Sequence, residues 1–177
     1  MSEEVLSSRS VFKGRILNLR VDTVETIDGR ESTREVVEHA PCIAVIAVDP
    51  DNNVLLVRQY RQALAKELLE IPAGGIDEGE DPESAVIREM QEETGYRPQK
   101  VERLNGFYST PGFSDEYLYL FLATDLVPGR LIAEDTAGIE VVRLPVSEIP
   151  DLVTSGKIED AKTVAGLLYY LEYRKTH

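Results

Sequence analysis

The chain has 177 residues, 42% of them hydrophobic and 29% charged, which suits one globular domain with a core of useful size. Its 32 acids against 19 bases give a formal charge of −13, and this argues against nucleic acid as a partner, because counterion release rewards a basic surface. One cysteine, Cys42, excludes an internal disulfide. Of the two histidines, His177 is the last residue, so a zinc site or a serine–histidine relay would have to depend on His39 alone, and any metal is expected to be a hard cation bound through oxygen.

The first ten residues, MSEEVLSSRS, are acidic and polar and lack the apolar core of a signal peptide. No apolar run is long enough to span a bilayer, so a cytoplasmic location with no membrane partner is expected. Residues 16–27 alternate apolar and polar, with Ile16, Val21, Val24 and Ile27 among the apolar positions. They run into Asp28-Gly29, a hairpin signal, and a second strand is expected over 30–39. Cys42–Val48 reads as a buried strand, 50–53 as a turn and 54–60 as the partner strand. A short strand over 68–71 ends at Pro72.

The clearest helix begins at Asp81 as N-cap, with Pro82 in the first helical position and Glu83 in the first turn. It is expected to run to Thr94 and stop at Gly95. Strands over 99–108 and 116–124 flank the loop 109–115, a strand over 139–144 follows, and a short helix covers 147–155. The last helix, 159–173, carries Val164, Leu167, Leu168 and Leu171 toward one side. With no repeat, linker or composition break, the expectation is a single α+β domain over 1–177: a mixed sheet sandwiched by helices.

The chemistry concentrates in 74–96, GGIDEGEDPESAVIREMQEETGY. At i, i+3 and i+4, Glu89, Glu92 and Glu93 share a helix face. Like charges at that spacing cost a few tenths of a kcal/mol per pair, and the C-terminal end of the helix dipole disfavours them further. Only Arg88 can relieve them within the helix. A bound divalent cation would turn the repulsion into attraction. The bland alternative, an acidic solvated face, is weakened by the helix having its own apolar side in Val86, Ile87 and Met90, and by Gly74-Gly75, which lets backbone approach the acids. No P-loop or G-x-G-x-x-G fingerprint occurs.

Gly74, Glu80, Arg88, Glu89, Met90, Glu92, Glu93, Gly95 and Tyr96 together resemble the Nudix box, departing mildly only at Tyr96, where an aliphatic residue is usual. The resemblance implies a Nudix α/β/α sandwich in which Glu89, Glu92 and Glu93 bind Mg²⁺, with Mn²⁺ a possible substitute. It also implies that the Ala73 carbonyl adds a ligand, that Arg88 orients the acids, and that Glu92 and Arg88 count among the catalytic residues. Beyond the box, Pro111 lies sixteen residues past Gly95, the spacing of the ADP-ribose pyrophosphatase subfamily, in the similar loop STPGFSDE. VRQYR and EIPAG, ending at Arg61 and Gly74, are similar as well. By this resemblance Arg58 and Arg61 meet substrate phosphate or ribose, Arg34 helps hold adenine, Pro111 is a further substrate-binding residue, and the N-terminal strands, about 1–40, exchange between subunits of a homodimer.

One position departs. Relatives carry acids two and four residues ahead of the Ile that opens the Ile-Glu-Val strand. Here the nearer position is Ala137, the farther one is Asp135, and a register shift would bring in Glu134. The implied activity is Mg²⁺-dependent hydrolysis of a nucleoside-diphosphate sugar, with ADP-ribose giving AMP and ribose 5-phosphate. The alternatives are another nucleotide sugar such as GDP-mannose, or a sensor that binds a nucleotide ligand without cutting it.

Overall fold

A computed structural model describes residues 2–133 and 136–177. The chain divides into two compact units, one made of 1–41 and 107–118, the other of 42–106 and 119–177.

In the first unit β1 (Glu4–Lys13), β2 (Leu17–Glu25) and β3 (Glu31–His39) form an antiparallel sheet in that order. The expected turn joins β2 to β3: the Gly29 amide donates to the Thr26 carbonyl at 2.8 Å and the Thr26 amide to Arg30 at 2.8 Å. Strand β1 was not expected from the sequence. All ten of its residues are exposed, so no alternation of apolar and polar residues marks it, and its pairing to β2 shifts register twice. Beyond β3 the segment around Ser114 runs alongside it as an isolated parallel bridge. The Val37 amide donates to the Phe113 carbonyl at 2.7 Å and the Asp115 amide to Val37 at 3.2 Å.

The second unit is built on β4 (Cys42–Val48), β5 (Asn53–Arg61), β6 (Lys66–Glu70), β7 (Ala73–Gly75), β8 (Tyr96–Tyr108), β9 (Tyr117–Pro128) and β10 (Glu140–Pro145). The sheet order is β10-β5-β4-β9-β8, with β6 paired to β5 and β7 to β4. The helices are α1 (Pro82–Glu89), continued by a π-helical turn over Met90–Thr94, then α2 (Ile149–Thr154) and α3 (Ala161–Tyr173). Among the described residues no helix is long and apolar enough to cross a membrane.

Period-2 alternation decides which helix covers which face. Ile43, Val45 and Ala47 of β4 pack with Leu55, Phe121 and the Ala85, Val86 and Met90 side of the first helix. Ile46 and Leu120 lie on the opposite face, close enough to Gly166 of α3 that a Cβ there would crowd them. Each fully buried Ile, Leu or Phe in these layers contributes roughly 1.5–3 kcal/mol. This is the expected α+β sandwich. The apolar side of the last helix differs from the expectation: its buried residues are Thr163, Gly166, Leu167 and Tyr170, while Leu168 is exposed. Side-chain size pointed to the leucines, but the close approach at Gly166 sets the packed stripe.

Candidate functional site

Pro72 ends the run after β6, and its carbonyl accepts from the Val45 amide at 2.9 Å. The chain then enters β7, where Gly74 pairs with Ile43 and Gly75 with Cys42. The two glycines therefore lie in a strand, and it is from there that the backbone approaches the acids. Gly74 is required by space: a Cβ there would overlap the Glu89 carboxylate. One residue earlier, the Ala73 amide donates to Glu93 Oε2 at 3.1 Å.

Asp81 caps α1 as expected, accepting from the amides of Glu83 at 3.0 Å and Ser84 at 3.2 Å, with Pro82 behind it. The last turn departs from the expectation. It widens to a π-turn, and Gly95 closes it with a left-handed φ of 77°. Thr94 Oγ1 donates to the Met90 carbonyl at 2.5 Å and then accepts from the Tyr96 amide at 3.2 Å. The outcome for the acids is unequal burial: the Glu89 and Glu92 side chains are 12% and 18% exposed, and Glu93 is 8% exposed.

Arg88 is the hub. Its Nε and Nη2 donate to the two Glu80 oxygens at 3.0 and 2.9 Å, its Nη1 to Glu89 at 2.7 Å, and its Nη2 to the Gly75 carbonyl at 2.8 Å. Glu92 is held more loosely, 3.5 Å from Nη1. Glu80, which also accepts from the Asp77 amide at 3.0 Å, is thus Arg88's principal partner. Its bonds to Arg88 hold the Glu80 carboxyl below the usual range and reinforce the charge on the guanidinium.

The other acids are less well served. Burial raises the Glu89 carboxyl in spite of Arg88. Burial, and then the charge of Glu89, pushes Glu93 up to about 8, with the Ala73 amide, Lys162 and Arg61 pulling the other way. Carboxylates gathered where protein cations only partly compensate them form an all-oxygen donor set, and that chemistry fits a hard divalent cation.

Of the arginines expected at the substrate, Arg61 donates to buried Glu70 through Nε at 2.7 Å and Nη2 at 2.6 Å, while its charge acts on Glu93. Arg58, on β5 opposite Glu140 of β10, pairs with that residue at 3.2 Å. In the first unit Arg34 and Pro111 line one concavity of about 490 Å³ together with Phe113 and Asp115. There Arg34 forms an ion pair with Glu3 and donates to Ser32 Oγ at 3.0 Å. The structure thus gathers Ala73, Arg88, Glu89, Glu92 and Glu93 in the second unit and Arg34 with Pro111 in the first. Asp135 and Glu134 lie outside the described residues. Next to them, Thr136 Oγ1 donates to the Ala133 carbonyl at 2.9 Å and the Ile139 amide to Thr136 at 3.2 Å.

Sequence reasoning did not single out Glu70 and Lys162. Glu70 is 1% exposed and bonded to both Arg61 and Lys162. The only local hint was a Glu inside an apolar strand, since Lys162 is 92 positions away.

Residues 38–167 match the family model described as the NUDIX domain, and residues 3–37 match the one described as the nucleoside diphosphate sugar hydrolase N-terminal domain. An ADP-ribose pyrophosphatase of Bacillus subtilis is 34% identical over 171 residues, covering 96% of this chain and 92% of the relative. A methanol dehydrogenase activator of Bacillus methanolicus is 37% identical over 169 residues, covering 94% and 91%. A crystal structure of an ADP compounds hydrolase superposes with a TM-score of 0.90 at 22% identity, over 99% of this chain and 95% of that one.

Proposed function

We propose, from the premise that this chain belongs to the Nudix family, that it is an ADP-ribose pyrophosphatase. It is a hydrolase of nucleoside-diphosphate sugars, and ADP-ribose, cut to AMP and ribose 5-phosphate, is the substrate we assign to it. The observation that carries the reading is the unequal, partly buried acid cluster around Arg88, with Glu93 8% exposed and only partly compensated. The choice of ADP-ribose is supported by the N-terminal match and by the 34% identical pyrophosphatase.

The family uses a divalent metal. In this reading Mg²⁺, or Mn²⁺ in its place, is held by Glu89, Glu92 and Glu93 with the Ala73 carbonyl, and when bound it supplies charge neutralisation at the diphosphate and a more acidic water. The chain's own residues do the rest. Arg88 fixes Glu89 and Glu92 relative to the Gly75 carbonyl, and Arg61 and Arg58 bind diphosphate and ribose oxygens. Arg34 and Pro111 receive the adenine. Asp135 accepts the proton of the attacking water, with Glu134 the second candidate. The water oxygen ends on phosphorus and the bridging oxygen leaves with the other phosphoryl group.

The active form is a homodimer assembled through residues 1–40. Val5, Leu6, Val11 and Phe12 are each about half exposed on β1, an edge strand that needs a cover. A reducing, cytoplasmic setting suits a chain with one cysteine, Cys42, which is buried. The test is incubation with ADP-ribose, GDP-mannose and other nucleoside-diphosphate compounds plus Mg²⁺, with products resolved by chromatography. AMP and ribose 5-phosphate from ADP-ribose, faster than turnover of the other compounds, is the expected result. Tight binding without cleavage of any of them would mark a sensor instead.

A further inference from the structure

The β5–β6 register sets Arg61 opposite Lys66 and Glu70 opposite Val57. Arg61 must therefore reach back along the hairpin to meet Glu70, which it does with two parallel bonds of 2.7 and 2.6 Å. A partly exposed arginine extended this way gives up much of its rotamer freedom, and the partner that fixes it must itself be fixed.

Glu70 meets that condition. It is 1% exposed, and its second oxygen also accepts from Lys162 Nζ. Lys162 donates in turn to Asp160 Oδ2 at 3.1 Å. Asp160 is the N-cap of α3, accepting from the Thr163 amide at 2.9 Å and the Thr163 hydroxyl at 2.5 Å. Thr163 Oγ1, fully buried, accepts from the Ile71 amide at 2.9 Å and so closes the network onto the residue after Glu70. Three elements, β5, β6 and the start of α3, are thereby locked around one guanidinium. Among the described residues no bond occupies Arg61 Nη1.

We infer that Glu70 is a positioning residue: anchored by Lys162 and Asp160, it holds Arg61 beside Glu93 with Nη1 directed to a phosphate oxygen of the substrate. The inference rests on Arg61 being a substrate contact, as proposed above. Its physical content is pre-organisation, since the entropy of ordering the arginine is lost on folding rather than on binding.

The test is a double-mutant cycle on the full chain, read as the Kd of α,β-methylene-ADP-ribose, a non-cleaved probe, in the presence of Mg²⁺, alongside KM and kcat for ADP-ribose. Glu70→Gln is expected to raise Kd and KM about 3- to 10-fold, the range for one side chain that must be ordered on binding, and to change kcat less. In an Arg61→Ala background the same substitution is expected to add nothing. Glu70→Asp keeps the buried charge but shortens the reach. It is expected to behave alike, and it serves where Glu70→Gln does not fold by circular dichroism. An effect of Glu70 that persists undiminished without Arg61, or a kcat loss with Kd unchanged, overturns the inference. Wild-type Kd in Arg61→Ala overturns the substrate contact itself and the inference with it. Probe binding without turnover of ADP-ribose by the unmutated protein is a failure of the proposed activity alone, and the Kd cycle still decides the role of Glu70.

Discussion

Both units bury acids, but on different terms: Asp22 of the first, 4% exposed, is met by Ser8 and Arg20, whereas Glu93 of the second is only partly compensated. In the second unit Glu70 at 1% and Glu93 at 8% exposure lie among fully buried Ile, Leu and Phe side chains. The first unit also shows apolar surface: Phe12 is 56% and Val11 47% exposed, while Val24 and Leu118 are its buried apolar residues. Each arrangement is costly for an isolated unit, and each cost points outward. A buried carboxylate that burial and a like charge disfavour calls for a cation. An uncovered edge strand calls for another protein surface. Chemistry belongs to the first kind of cost and assembly to the second.

Substitutions can break or sharpen this contrast. The largest effect is expected at Glu93. Glu93→Gln should lower kcat by about 100-fold or more, since it removes charge where the transition state needs it. The same change should stabilise the metal-free protein at alkaline pH. Glu93 is a carboxyl raised from an ordinary 4.5 to about 8 in the folded state. A raised carboxyl stabilises the fold fully below its unfolded value, and that contribution is lost as pH climbs through the folded one. Thermal melting without divalent cation should therefore show wild type losing ground to Glu93→Gln between about pH 4.5 and 8, and added Mg²⁺ should reverse the order. Identical melting curves across that range would remove the argument that Glu93 is held at a cost.

Next in size is Asp135→Ala, expected to lower kcat on the order of 100-fold as a lost general base, with metal affinity kept and Glu134→Ala milder. If the two variants exchange ranks, the loop register is off by one. A double substitution on β1, Val11→Asp with Phe12→Asp, should turn dimer into monomer by light scattering and raise KM about 10-fold through loss of the assembled pocket, with the second unit still folded. A dimer that survives it places the interface elsewhere. The smallest effect is Asp81→Ala, which removes two cap bonds. It should cost about 1 kcal/mol and a few degrees of melting temperature, with kcat unchanged.

What the sequence disclosed follows from how far apart the interacting residues are. Arg88, Glu89, Glu92 and Glu93 lie within six residues on one helix, so their grouping could be read from spacing, as could Asp81 and Gly95 at its ends. The π-turn could not be read. It accompanies a bond from the Thr94 hydroxyl to the Met90 carbonyl, and Glu93 within it is more buried than Glu89 and Glu92. Gly74-Gly75 could be read as a close backbone approach to the acids but not as strand, which takes its pairing with β4. Strand β1 stayed hidden because both its faces are exposed, which erases the period-2 pattern. The Arg61–Glu70–Lys162 network stayed hidden because it joins the middle of the chain to its last helix.

The central claim is that the acid cluster around Arg88 is a divalent-metal centre that cleaves ADP-ribose. It is tested most directly by comparing wild type and Glu93→Gln in one assay: AMP release from ADP-ribose as Mg²⁺ is titrated from zero to saturation. No release by either protein is expected without the cation; with it, wild type should show a saturating rise with AMP and ribose 5-phosphate in equal amounts, and the variant a plateau lower by about 100-fold. Equal plateaus for the two proteins, or wild-type release that ignores the cation, would contradict the claim.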